Sequence, residues 1–379
     1  MYFTLGPVFP ASRSSGRLQA LLTHPRFAIA AVMAAIAIAL PTIGLGFYSD
    51  DYVLLGRIRG RLPGPHGPFD LYRLTPPSGA SVREMYPWWS AEKLEIDFSR
   101  PLSSALLWLD HAVFQLRPLG YHLHSIAWYA ATVAAVVFVH RRALPGVTGA
   151  LAALAFLLDD SHVQPVAWIA CRHALVSAAP ALFGLGAYLR YRSGGQRTWL
   201  WLTLIGLGIG LGGGESALGV VAYLMAYELV GRTDAARDRL RALSPILALT
   251  VAYLALYSAR GHGAAGNDFY FAPTSDPAGF LGVLILRAPI LIADAILGAP
   301  TDLANLVTPP HSSCSASAPS LSSTRCTARF ERSSPFTSGA PWPGCCSVPS
   351  DRSSWPREPI RARACSWCRA SARPARSPS

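Results

Sequence analysis

Apolar residues along this chain gather into runs close to the length of a bilayer crossing, separated by short segments rich in arginine and glycine. The first run, Phe27 to Phe47, is long enough to span, since about 20 apolar residues at a 1.5 Å rise cross the hydrocarbon. Further runs fall at 121–139, 144–158, 166–189, 198–213, 215–230 and 242–258. An apolar stretch at 278–299 carries Arg287 and Asp294 on nearly one face, and either crosses the membrane or lies partly in its interface. The pattern predicts an all-α polytopic membrane protein with about seven to eight transmembrane helices. The first run exceeds the apolar core of a cleavable signal peptide and continues into Tyr48-Ser49-Asp50, so it reads as a retained anchor.

The polar segments orient these spans. Arg13, Arg17 and Arg26 precede the first, and His140-Arg141-Arg142 join the second and third. Arg190, Arg192 and Arg197 join the fourth and fifth; Arg232, Arg237, Arg239 and Arg241 join the sixth and seventh. If the first span runs outward, all of these fall on one side, the cytoplasmic side favoured by Arg and Lys. The expectation is a multi-pass protein of the cell inner membrane with a cytoplasmic N-terminal segment at 1–26 and a transmembrane domain at 27–308. Outer segments are then 48–120, 159–165, 259–277 and the Gly212-Gly213-Gly214 turn. Within the large outer loop 48–120, Leu102, Leu106, Leu107, Leu109, Val113 and Leu116 recur near helical spacing, predicting a helix over 101–117 that lies in the membrane interface.

Composition agrees with this picture and narrows the partners. Only 14% of residues are charged, against roughly 25% in soluble domains, and 51% are hydrophobic. A net charge of +12 raises nucleic acid as a partner, but from His311 onward ten arginines face three acids, so the tail alone carries +7. The lipid bilayer is the expected partner, and nucleic acid is not. The segment 309–379 is rich in Ser, Arg, Pro and Cys without apolar periodicity, and reads as a disordered or frame-shifted low-complexity tail. Six of the seven cysteines lie there. Cys365-Ser-Trp-Cys368 has no second half-site, so no metal is assigned.

The candidate chemistry starts at Asp50-Asp51, two carboxylates at the outer mouth of the first span, where charge is costly and needs a reason. One member fits a base, the other a positioning group, and adjacency alone does not rank them. Arg172, about two turns into the fourth span, seeks either a phosphate or a salt bridge with Asp159, Asp160 or Glu215. Arg100, before Pro101, contacts phosphate or anchors the interface helix. His122 reads as scaffold or substrate contact. Asp159, Asp160 and His162, with Glu215, form a second acidic set that takes a divalent ion or acceptor, or is a solvated loop, with structural pairing to Arg172 the better reading of Glu215. The glycine run from Gly206 to Gly214 lacks the Lys and Ser/Thr of a phosphate-binding loop and predicts close helix packing in lipid.

Several of these residues sit in a recognisable pattern. Phe47-Tyr-Ser-Asp-Asp-Tyr52 resembles the first outer-loop acidic motif of GT-C membrane glycosyltransferases. Arg100-Pro-Leu102, Leu109-Asp-His111, Pro118-Leu-Gly-Tyr-His122 and Val166-Ala-Trp-Ile-Ala-Cys-Arg172 resemble the protein O-mannosyltransferase-like branch, including its tetratricopeptide-bearing members and bacterial counterparts. Glu215 matches an acidic position there. The resemblance covers about residues 27–260. It implies transfer of a sugar from a polyprenyl-phosphate donor to a protein, lipid or glycan acceptor outside the membrane, with inversion, one Asp of the pair as base, and a divalent cation as the one cofactor left open. Asp159-Asp160 and Gln164 stand where that branch has His-Pro and Glu, and Ser125 and Tyr129 where it has Asn and His. These departures touch donor and acceptor identity. The rival readings are a transporter, flippase or scaffold, or an inactive frame-disrupted fragment; the paired broken-helix repeats typical of transporters are not visible.

Overall fold

The computed structural model describes residues 13–64, 67–75, 94–265 and 276–297. The tail at 309–379 lies outside the described residues. The described chain is almost wholly helical: α1 (Arg13–Thr23), α2 (Phe27–Ala39) with a 3₁₀ turn at Leu40–Gly44, α3 (Asp50–Ile58), α4 (Pro101–Phe114), α5 (Pro118–Ala143), α6 (Val147–Leu158), α7 (Val163–Ala167), α8 (His173–Arg192), α9 (Arg197–Gly213), α10 (Leu218–Val230), α11 (Ala236–Ala259) and α12 (Pro277–Leu297). Among the described residues one antiparallel pair, β1 (Glu95–Asp97) and β2 (Gly263–Ala265), ties the segment between α3 and α4 to the end of α11.

Five of these helices are long and apolar enough to cross a membrane: Phe27–Gly44, Pro118–Ala143, Ile169–Arg192, Ala236–Ala259 and Pro277–Ile296. The other three expected spans are helical but shorter, with 12 residues in α6, 17 in α9 and 13 in α10. Burial is graded across the five. More than half of the Pro118–Ala143 and Ile169–Arg192 windows is buried, whereas none of the Pro277–Ile296 window is. An apolar helix with no protein cover is what a lipid-facing element looks like.

The helix expected over 101–117 forms as α4, three residues shorter, and its polarity is inverted relative to a helix in water. Ser103, Ser104, Leu107 and Asp110 face inward at helical spacing, while Trp108, Leu109 and Val113 are exposed. Ser103 donates to the Gly213 carbonyl at 2.6 Å. Polar groups inside and apolar groups outside suit a lipid-side position.

The centre of the bundle is the α8–α9 pair, and the glycine run explains its closeness. A Cβ built on Gly206 would sit 2.5 Å from the Pro180 carbonyl oxygen and 3.1 Å from Gly184 Cα, and one on Gly213 would sit 2.8 Å from the Val176 and Ser177 backbone. Backbone cannot yield as a side-chain tip does. Gly206→Ala is therefore expected to destabilise the protein by about 1–3 kcal/mol, read as a lower thermal midpoint in detergent, whereas Gly208→Ala, with open space around it, leaves the midpoint in place.

Arginines collect at one end of the long helices. Arg141 donates to the carbonyls of Thr23 (3.1 Å), His24 (3.3 Å) and Pro25 (3.4 Å). Arg192 pairs with fully buried Glu228 at 2.6 Å and with Asp234, while Arg239 donates to the Glu228 carbonyl at 3.0 Å. The opposite ends of α5 and α8 lie at His122 and Arg172, while Asp50 and Asp51 open α3 and Arg100 precedes α4.

Candidate functional site

Asp50 and Asp51 open α3 rather than lying in an extended segment, so the helix N-terminus favours their negative charge. Successive helical residues are separated by about 100° around the axis, and the two carboxylates consequently meet different surroundings. Asp51 is buried. Its Oδ1 accepts from Ala170 N–H at 2.7 Å and its Oδ2 from Tyr48 N–H at 2.9 Å, fastening the start of α3 to the turn before α8. Burial raises its pKa above the ordinary carboxylate value, against the lowering effect of those two N–H groups. Asp50 is exposed, accepts from the Ser49 hydroxyl at 3.3 Å, and lines a cavity of about 570 Å³. Geometry thus separates two residues that adjacency left equivalent.

The same cavity is lined by Tyr72, Phe98, Arg100, Trp168, Cys171 and His173. Arg100 Nε donates to Glu215 Oε2 at 2.9 Å, and its guanidinium lies 4.3 Å from the Phe98 ring centroid and 5.1 Å from that of Tyr72. Glu215 therefore pairs with Arg100, not with Arg172 as the sequence favoured. Because Glu215 occupies only Nε, the two terminal guanidinium nitrogens make no hydrogen bond among the described residues and are free to meet a ligand oxyanion. Burial, above all, pushes the Tyr72 hydroxyl up to about 12, so it stays protonated and donates to the Ala170 carbonyl at 3.1 Å. His173 packs edge-on against Tyr72, ring centroids 5.6 Å apart.

Arg172 and His122 are not on this wall. Arg172 is buried, with Nη2 2.5 Å from Asp110 Oδ2 and Nη1 3.2 Å from the Tyr121 carbonyl oxygen. Its partner is Asp110 of α4, rather than Asp159, Asp160 or Glu215, and it has no exposed face for phosphate. Asp110 also meets His124 Nδ1 at 2.7 Å, and His124 Nε2 accepts from Trp128 Nε1–H at 2.9 Å. That acceptor role leaves the proton on Nδ1, pointing at Asp110. His122 is fully buried beside the Leu45–Gly46 backbone, which places it in the scaffold.

The second acidic set is not assembled. Asp159 accepts from Ser161 N–H at 2.8 Å and caps a short 3₁₀ turn. His162 packs against Phe156, ring centroids 4.1 Å apart, and its burial there lowers its pKa despite Asp159 and Asp160. Asp160 is exposed, and Glu215 stands with Arg100. Among the described residues no three His, Cys, Asp or Glu side chains gather as a metal set, and a divalent ion would find Asp50 as the single carboxylate on the cavity wall.

Sequence reasoning gave no role to Asp110 and Cys171, which it met only inside motifs, and missed Tyr72, Phe98 and His173. Asp110 had a visible signal, a carboxylate on the inward face of an amphipathic helix. Tyr72 and Phe98 had none, because irregular segments carry them. No protein family, curated protein or solved structure matches the chain.

Proposed function

We propose that this protein is a GT-C-type glycosyltransferase that moves a sugar from a polyprenyl phosphate to an acceptor hydroxyl at the outer face of the inner membrane. The observation that carries the reading is the joint placement of Asp50 and Arg100 on one cavity wall, at the helix ends remote from the arginine-rich end. Cytoplasmic loops collect arginine, which favours an outward-facing cavity and a cytoplasmic N-terminus. The three shorter helices, α6, α9 and α10, complete a set of seven to eight membrane elements in this reading.

In this mechanism Asp50 takes the proton of the acceptor hydroxyl as its oxygen attacks the anomeric carbon. The bond from that carbon to the phosphate oxygen breaks, and the configuration inverts. Arg100, held by Glu215 and stacked on Phe98, offers its terminal N–H groups to the phosphate as charge builds on it. Asp51 acts through the backbone it fastens, and Arg172–Asp110 fixes α4 against α8 from behind. No step is routed through a metal. The deciding experiment is sugar transfer in membranes holding the Asp50→Asn chain; transfer at the wild-type rate would overturn the reading.

A further inference from the structure

A second cavity of about 480 Å³ shares Phe98 with the first and is lined by Asp70, Arg73, Arg260 and His262. Its frame is firmly made. Leu74 N–H donates to the Ile96 carbonyl at 2.7 Å, Phe98 N–H to the Tyr72 carbonyl at 3.1 Å, and Asp97 pairs with Gly263 across the β1–β2 ladder. Arg260 and His262 flank Gly261, whose φ of +69° closes the end of α11. There Gly261 N–H donates to the Ser258 carbonyl at 3.0 Å and His262 N–H to the Tyr257 carbonyl at 3.1 Å. This double bond pattern is a Schellman turn, which fixes the direction of both side chains' Cα–Cβ bonds.

The cavity wall carries the two guanidiniums of Arg73 and Arg260 against the one carboxylate of Asp70, with Asp97 beside Arg73. Arg73 meets Asp97 at 3.4 Å while staying 40% exposed, and no carboxylate reaches Arg260 among the described residues. The His262 ring stands 5.2 Å from that of Tyr257, and its Nδ1 is buried with no partner among the described residues. Burial first, then Arg73 and Arg260, hold that ring below the usual histidine pKa against the pull of Asp97 and Glu215, so it is neutral near pH 7. Two guanidiniums on one wall repel each other and are relieved by a bound oxyanion, which they contact through directed N–H donors. Asp70 Oδ1, buried and likewise without a partner among the described residues, is an acceptor suited to a hydroxyl group. The volume lies in the range of ordinary small-molecule sites, about 300–1,000 Å³.

We propose that this cavity is an oxyanion subsite, in which Arg260 and Arg73 hold the phosphate or carboxylate of a hydroxylated ligand whose hydroxyl meets Asp70. The proposal stands apart from glycosyl transfer, since binding alone is claimed. The test is calorimetric titration of inorganic phosphate into the full chain in dodecyl maltoside, a phosphate-free detergent. Wild type is expected to bind, and Arg260→Gln to bind about tenfold more weakly or less, at an unchanged thermal midpoint. Arg241→Gln, which removes an exposed arginine at the opposite end of α11, is expected to keep wild-type binding. Absence of binding in wild type, equal binding in Arg260→Gln, or an equal loss in Arg241→Gln would each overturn the proposal. Where binding holds, displacement of inorganic phosphate by polyprenyl phosphate identifies a lipid headgroup as the natural oxyanion, and displacement by glucose 6-phosphate alone identifies a soluble one.

Discussion

Sugar transfer by the Asp50→Asn chain is expected to fall by about 10²- to 10⁴-fold, the usual contribution of a positioned general base. Folding should be unaffected, because Asp50 is exposed and its hydrogen bond within the chain comes from the adjacent Ser49 hydroxyl. Asp51→Asn makes the opposite pair of outcomes. Both Asp51 oxygens accept from backbone N–H groups of separate segments, Tyr48 and Ala170. An amide must turn its NH₂ toward one of them, leaving a buried donor facing a donor, at about 1–3 kcal/mol. The Asp51 variant should therefore lose thermal stability, and the Asp50 variant should lose transfer with its midpoint intact. Paired measurement of midpoint and transfer rate in the two variants separates base from fastener. A midpoint drop in Asp50→Asn with normal transfer per folded molecule would exchange the two roles.

The largest loss of stability is expected from Asp110→Ala, about 3–5 kcal/mol, the range for breaking a buried ion pair from one side. Arg172 and Asp110 side chains are each 3% exposed, so removal of the carboxylate strands a guanidinium with the Tyr121 carbonyl as its remaining partner. His124 loses the acceptor for its Nδ1 proton at the same time. Denaturant or thermal unfolding of the detergent-solubilised chain measures the effect. Asp238→Asn is the comparison: its pair with Arg241 is more than half exposed on both sides, and exposed pairs contribute little. If the two variants unfold alike, the Arg172–Asp110 pair does not hold α4 against α8.

Much of the fold was legible because lipid imposes a simple rule. Backbone polar groups must be satisfied within each crossing segment, so apolar length alone marks the helices, and each predicted run does contain one. Two helices start later than their runs: 144–158 and 215–230 yield helices of 12 and 13 residues, because Gly146 and the Glu215–Ala217 turn hold back the helix start, whereas 198–213 is helical throughout within the 17 residues of α9. The site was legible only in part. Asp50 and Arg100 carried a motif and do line one cavity, whereas Arg172 and His122, equally conspicuous as polar groups in apolar runs, are turned into the packing. A single sequence shows that a charge in a span needs a partner. It does not name the partner, because that depends on the rotation and vertical register of helices far apart in the chain.

What this sequence determined by itself is the succession of apolar helices, the arginine-rich end and the acidic pair at the mouth of the first span, all consequences of local composition and spacing. The tertiary structure alone decided which carboxylate is free. The rotation of about 100° between successive residues of α3 sends Asp51 to the backbone of residues 48 and 170, and Asp50 into the cavity. It also decided that Arg172 answers Asp110, 62 residues away, while Arg100 answers Glu215, 115 residues away. Those pairings arise where helix ends meet in space, and only packing brings them together.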